Sequence, residues 1–233
     1  MATNDNKDVI ELESIEVLEA NQSQYLKPHR LHYKLNGRPL IWDLMKVHDS
    51  VSIVLYNRST NRLIFVRQFR PAVFFAFVCK SVDSIDLNMF SKDNINQFNE
   101  LLVKNKNLGF TIELCAGIVD KQGKTIKEIA KEEVEEETGY LVDTNCLQFI
   151  SSFRSGVGIS GSLQHLYYCE VTCETPKGKG GGVDGEQIEV LELTIDEAKK
   201  LLYCGDSEAM MSRPAGLLFG LSWFLYQHLP TLS

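Results

Sequence analysis

The chain is 233 residues long, enough to bury one full hydrophobic core with a small appendage. Its net charge of −7 and the lack of any Lys/Arg-rich run disfavour nucleic acid and anionic membrane as partners. The opening MATNDNKDVIELES has neither the basic region nor the apolar stretch of a secretory signal, and the most apolar run, residues 215–229, is interrupted by Ser222, Trp223, Gln227 and His228 and is too short to span a bilayer.

In chain order, residues 1–8 read as a disordered terminus and residues 9–18 alternate loosely. Residues 29–35 and 39–45 flank Asn36-Gly37, a strong hairpin signal. Together these segments predict a small antiparallel β unit over residues 1–46, ahead of a main domain over residues 47–233. Residues 50–56 form a buried-strand run, residues 57–61 a turn and residues 62–68 a second strand. The second strand ends in Val66-Arg67-Gln68-Phe69-Arg70-Pro71-Ala72, where the proline stops regular pairing. Guanidinium forks match phosphate oxygens, which makes Arg70 the first candidate for holding a substrate phosphate, with Arg67 behind it or paired across the sheet. Residues 76–108 read as an insertion with one helix at about 94–103, where Ile95, Phe98, Leu101 and Leu102 recur at helical spacing.

The core resumes at Phe110 and leads into residues 113–140, ELCAGIVDKQGKTIKEIAKEEVEEETGY. Thr125 and Glu128 make a capping box, so a helix begins near Ile126, buries Ile126, Ile129, Ala130 and Val134, and stops at Gly139. Glu133, Glu136 and Glu137 share one face of that helix. Like charges at this spacing cost helix stability, and acids near a helix C-terminus oppose its dipole. A solvated acidic face is one reading. The other is a site for Mg²⁺, which takes oxygen ligands from a few carboxylates together with substrate phosphates.

Two further strands follow at 147–153 and 163–172, joined by the loop Ser155-Gly156-Val157-Gly158-Ile159-Ser160-Gly161-Ser162. Such a loop either lets backbone approach a ligand, with Gly156 and Ser162 as contacts, or is a plain flexible connection. Residues 177–185, KGKGGGVDG, read as the most flexible stretch of the chain, followed by a strand at 187–193, a helix at 194–203 capped by Thr194 or Asp196, and a terminal helix at about 214–228. Six cysteines without a Cys-x-x-Cys pair, and with no His at zinc-ligand spacing, read as free thiols in a reducing cytosol.

Gly117 followed by Glu133-Val134-x-Glu136-Glu137-x-Gly139-Tyr140 resembles the signature G-x5-E-x7-R-E-U-x-E-E-x-G-U of the Nudix hydrolase superfamily, where U is a bulky apolar residue. The second half of the box is intact. The first half has one extra residue, with Lys124 at the position of the first Glu and Glu132 at that of the Arg, so the pair that braces loop against helix is expected here with reversed polarity. The resemblance implies an α/β/α Nudix sandwich with a mixed sheet beside the N-terminal β unit. By match to the box it also implies Glu133 and Glu137 as principal ligands of Mg²⁺, with Mn²⁺ as a substitute, Glu136 assisting, and the backbone carbonyl of Ala116 as a further oxygen.

In the ADP-ribose pyrophosphatase-like branch of the superfamily the base lies on a loop two strands after the box helix. Here that places Glu186 first and Asp184 second, as the base or a last metal ligand, with ordinary loop solubility as the plain reading. Further segments, among them His48-Asp49-Ser50-Val51, Gln68-Phe69-Arg70-Pro71 and Ser222-Trp223-Phe224-Leu225, are similar to members that act on UDP-sugars. They imply hydrolysis of UDP-glucose to UMP and glucose 1-phosphate by a cytoplasmic homodimer whose N-terminal β unit helps build the partner's site. ADP-ribose is the rival substrate, and a Nudix-fold binding module without catalysis is the reading from another class.

Overall fold

The computed structural model describes residues 9–19, 22–23, 25–81, 90–183, 185–204 and 211–232. Among these the chain runs through strands β1 (Lys27–Leu35), β2 (Arg38–Lys46), β3 (Ser50–Asn57) and β4 (Arg62–Phe69), then helices α1 (Pro71–Ser81) and α2 (Lys92–Lys104). Strands β5 (Phe110–Glu113) and β6 (Cys115–Ile118) lead into α3 (Ile126–Glu133), which β7 (Leu147–Ser155), β8 (Ser162–Val171), β9 (Glu189–Thr194), α4 (Ile195–Tyr203) and α5 (Ala215–Trp223) follow.

Strands β3 to β9 form a mixed sheet in which β3 and β8 run parallel. One edge of β3 is shared: its end, Leu55 to Asn57, pairs with β4, while its start, Ser50 to Ile53, pairs with β6. Strand β5 instead follows β4, with Val66 opposite Glu113. The sheet therefore splits at Leu114, and the residues at the split face a gap between two halves of one sheet.

Alternation along β3 decides what lies on each side. Val51, Ile53 and Leu55 join Ile129 and Ala130 of α3 and Val134 just after it in one core; Val54 and Tyr56 join Ala198 and Leu201 of α4 and Leu217, Leu221 and Phe224 of the terminal helix in the other. This is the expected α/β/α sandwich. A third cluster, Phe74, Val78, Phe98, Leu102 and Leu108, packs α1 against α2 outside the sheet.

Two expectations are corrected in this outer layer. The stretch from Pro71 to Ser81 is a helix rather than irregular chain, because a proline at the first helical position uses its fixed φ and gives up an N–H that has no intrahelical partner anyway. Residues 9–18 add no strand to the β unit. Ile10, Leu12 and Ile15 pack on the third cluster instead, and the Asn99 amide mimics a strand partner, accepting from Leu12 N at 2.8 Å and donating to Leu12 O at 2.9 Å. The β1–β2 hairpin does form, turning through Asn36 and Gly37 with φ of 53° and 79°.

Candidate active site

The helix start is built as its residues dictate. Thr125 accepts from Glu128 N at 3.2 Å, and the Glu128 carboxylate accepts from Thr125 N at 2.8 Å. After Glu133 the winding widens to a π-helical turn, Val134–Thr138, a local change that recurs at functional sites because it re-aims side chains. The Thr138 hydroxyl donates to Val134 O, and Gly139 closes the turn at φ 81°.

On the inner face, the Glu133 side chain is 12% exposed and lies flat against β6, so close that a Cβ on Gly117 would stand 2.0 Å from the Glu133 carboxyl carbon. Only glycine fits there. Glu137 is 4% exposed, and its carboxylate accepts from Ala116 N at 3.0 Å. Burial pushes the Glu133 carboxyl up to about 7, with Lys121 pulling it back and Glu136 and Glu186 adding repulsion. Burial likewise pushes Glu137 up to about 8, against the Cys115 thiol and the Ala116 amide, which favour its ionised form. Two desolvated acids side by side lack the compensation that buried charge needs.

On the outer face the charge is fully matched. Lys124 Nζ stands 2.5 Å from Glu132 Oε1, the reversed-polarity brace expected from the sequence. Lys121 lies across the turn from Lys124, because Gly123 takes φ 81° and folds the loop back. Its ammonium donates to Glu132 and Glu136, both at 3.1 Å, and stands 3.8 Å from Glu133. Burial alone would lower the Lys121 ammonium, but its bonds to Glu136 and Glu132 hold it above its ordinary value. Sequence reasoning missed Lys121, although a second lysine three residues before Lys124, across Gln122-Gly123, was the available signal.

The structure places Arg70 at the end of β4 beside the sheet split. Its guanidinium grips Glu113 with two bonds of 2.7 and 2.8 Å, and Thr111 also donates to Glu113. Glu137 and Glu186 lie close enough to favour the charged form of Arg70, after the larger effect of the Glu113 hydrogen bond. Arg67 is placed otherwise: its guanidinium sits 3.8 Å over the Phe110 ring, donates to Met211 Sδ and pairs across the ladder with Glu189. Beyond Arg70 opens a cleft of about 800 Å³ between α1, residues 105–109 and residues 212–214.

The glycine run corrects the expectation of a floppy stretch. Gly181 N donates to Glu137 O and Gly182 N to Glu136 O, both at 2.9 Å, and Gly178 N donates to Gly139 O. These bonds satisfy carbonyls that a helix end otherwise leaves unpaired. A Cβ on Gly180 would meet Gly139 N at 2.7 Å, so the glycines serve close backbone contact rather than freedom. They hold Glu186 near the box, where its charge reaches Glu133 and Arg70. Asp184 lies outside the described residues.

Gly156 and Ser162 lie at the two ends of the loop between β7 and β8. Their loop is tied to the hairpin, with Met45 N donating to Ile159 O at 2.8 Å and the Trp42 indole to Gly158 O at 3.1 Å. Gly156 takes φ 55°, and its carbonyl accepts from Ile159, Ser160 and Gly161.

The inner-face donors suit a hard divalent cation, since two buried carboxylates with raised pKa gain most from a positive ion between them. Among the described residues no three acidic, imidazole or thiol groups already converge as a cage, for Glu136 turns to Lys121 and Glu137 to Ala116. No described helix is long and apolar enough to cross a membrane.

No protein-family model matches the chain. It is 38% identical over 213 residues to the uridine diphosphate glucose pyrophosphatase NUDT14 of Mus musculus, covering 91% of this chain and 93% of that one. The NUDT14 protein of Bos taurus is equally similar, at 38% over 215 residues, with 91% and 94% covered. A GDP-mannose pyrophosphatase of Pectobacterium atrosepticum is 28% identical over 179 residues, with 76% and 75% covered. Among solved structures, an ADP compounds hydrolase superposes with a TM-score of 0.58 over 95% of this chain and 98% of its own, at 14% identity, a likeness of fold. With the box built as described and relatives matched over nearly its whole length, the chain belongs to the Nudix hydrolase superfamily.

Proposed function

We propose that this protein hydrolyses the diphosphate bond of nucleotide sugars, with UDP-glucose as its first substrate and UMP and glucose 1-phosphate as products. The observation that carries the reading is the pair Glu133 and Glu137, buried against Gly117 and Ala116 at the split of the sheet. Glu133 and Glu137, assisted by Glu136 and the Ala116 carbonyl, would hold Mg²⁺ or Mn²⁺. When bound, the ion neutralises phosphate oxygens and lowers the pKa of water.

The chain's own residues supply the rest. Glu186 accepts the proton of the attacking water while the oxygen bonds to phosphorus and the P–O bond to the second phosphate breaks. Arg70 exchanges one of its two bonds to Glu113 for a phosphate oxygen, and Glu113 keeps the fork aimed. The cleft beyond Arg70 receives one arm of the substrate, so filling it with Ala76→Phe raises KM with little change in kcat.

The same reading makes the protein a cytoplasmic homodimer. A two-stranded hairpin is marginal alone, and one face of β1–β2 exposes Leu31, Tyr33, Leu35, Leu40 and Trp42, a surface that a second copy would cover. Light scattering on the purified chain tests the dimer. Hydrolysis of UDP-glucose, GDP-mannose and ADP-ribose at equal concentration, with Mg²⁺ and with EDTA, tests the activity. Preference for ADP-ribose rejects UDP-glucose as first substrate, and no turnover of any of them rejects the enzyme in favour of a binding module.

A further inference from the structure

Five charged groups, Lys121, Lys124, Glu132, Glu133 and Glu136, meet where the loop after β6 crosses α3. Glu132 is already neutralised by Lys124, so the brace between loop and helix does not require a second lysine. Lys121 nonetheless reaches the same point, 30% exposed, and bridges from Glu132 over to Glu136 and toward Glu133. It spans the boundary between the structural face of the helix and the face that carries the ligands.

We propose that Lys121 is a tethered counter-ion of the box, which a divalent cation must displace before Glu136 can turn inward. The proposal rests on the reading of the box as a cation site. A primary ammonium and a divalent ion compete for the same carboxylate oxygens, and the ammonium is held at high local concentration by a short loop. The stem of Lys121 is flexible enough to swing out, and the turn at Gly123, with φ of 81°, faces open space. In this arrangement the extra residue in the first half of the box supplies a loop long enough to bring two lysines to one helix, one for the fold and one for the site.

The test is Mn²⁺ binding to the full chain, read by the loss of the free-ion electron paramagnetic resonance signal. Lys121→Met is expected to bind Mn²⁺ about two- to fivefold more tightly than the natural chain, the scale of one partly exposed ion pair. Lys124→Met, which removes the other lysine from Glu132 alone, is expected to leave the affinity unchanged. Independently of any variant, acetylation of Lys121 followed by mass spectrometry should speed up several-fold in saturating Mg²⁺, while that of Lys124 stays constant. Unchanged or weaker Mn²⁺ binding in Lys121→Met, or unchanged acetylation of Lys121 in Mg²⁺, overturns the proposal while leaving the site in place. No Mn²⁺ binding to the natural chain overturns both. If Lys121→Met does not fold, the acetylation of the natural chain decides alone.

Discussion

Glu132 and Glu133 are neighbours on one helix and stand in opposite circumstances. Glu132 faces outward to two lysines, and the Lys124 hydrogen bond, opposed by slight burial and aided by Lys121, holds its carboxyl below the ordinary range. Glu133 faces inward, pressed on Gly117, and burial lifts it to about 7. The outer face tolerates inverted signs because a salt bridge works in either polarity. The inner face does not, because in the function proposed above its carboxylates meet a cation. One helix thus divides into a side whose charges can be exchanged in pairs and a side where each carboxylate is constrained by the backbone it touches.

The largest expected effect breaks the inner side. Glu137→Gln should lower UDP-glucose hydrolysis by about 10²- to 10³-fold in steady-state assays while keeping the fold, since the amide retains the bond from Ala116 but cannot supply the charge. Turnover near the natural rate would show that the inner face is not the reacting one. Gly117→Ala comes next: the new Cβ displaces Glu133, and such overpacking costs about 1–3 kcal/mol, measurable by urea unfolding, together with much of the activity.

A pH experiment sharpens the contrast without mutation. Between the ordinary value of 4.5 and the raised values of about 7 and 8, Glu133 and Glu137 bind more protons folded than unfolded. Their contribution is therefore present at low pH and lost as pH rises through 7 and 8, so the melting temperature in EDTA should fall over that window. Mg²⁺ takes the place of the protons and should stabilise the protein more at pH 8 than at pH 6. Equal stabilisation at both would remove the argument from burial.

How much of this was readable in advance follows the same division. The Thr125 cap and the Asn36-Gly37 turn are local patterns, and each became the structure it announces. The single face expected for Glu133, Glu136 and Glu137 is divided instead, with Glu136 turned to Lys121 where the helix widens into a π turn. The Lys124–Glu132 brace was readable because two inverted signs at fixed spacing imply one contact. Helix α1 was hidden because PAVFFAFVCK is apolar all round and carries no periodicity, leaving Pro71 as its sole marker. The fixing of the glycine run against the box turn depends on residues some 40 positions apart, and glycine looks alike whether it grants freedom or allows contact. The capture of Arg70 by Glu113 required knowing that β5 follows β4 where the sheet splits. Gly180→Ala tests the glycine run: with φ at 61° and backbone 2.7 Å away, it should cost about 1–3 kcal/mol on urea unfolding, whereas a merely flexible linker would lose nothing.

The smallest effect belongs to the outer face and is the most exacting test of the comparison. Lys124→Glu removes one of two lysines from Glu132 and should cost little, because Lys121 remains in contact. Glu132→Lys should cost more, since it takes from Lys124 the carboxylate it pairs with and sets a third ammonium beside Lys121, which keeps only Glu136 and Glu133. Combining the two changes restores one opposite-sign pair at the brace. The double variant should therefore be more stable than Glu132→Lys alone, with a coupling of about 0.5–1 kcal/mol in urea unfolding, the scale of partly exposed pairs. Strictly additive losses would mean that the contact at 2.5 Å contributes no net stability, and that the outer face keeps its inverted signs for Lys121 rather than for the brace.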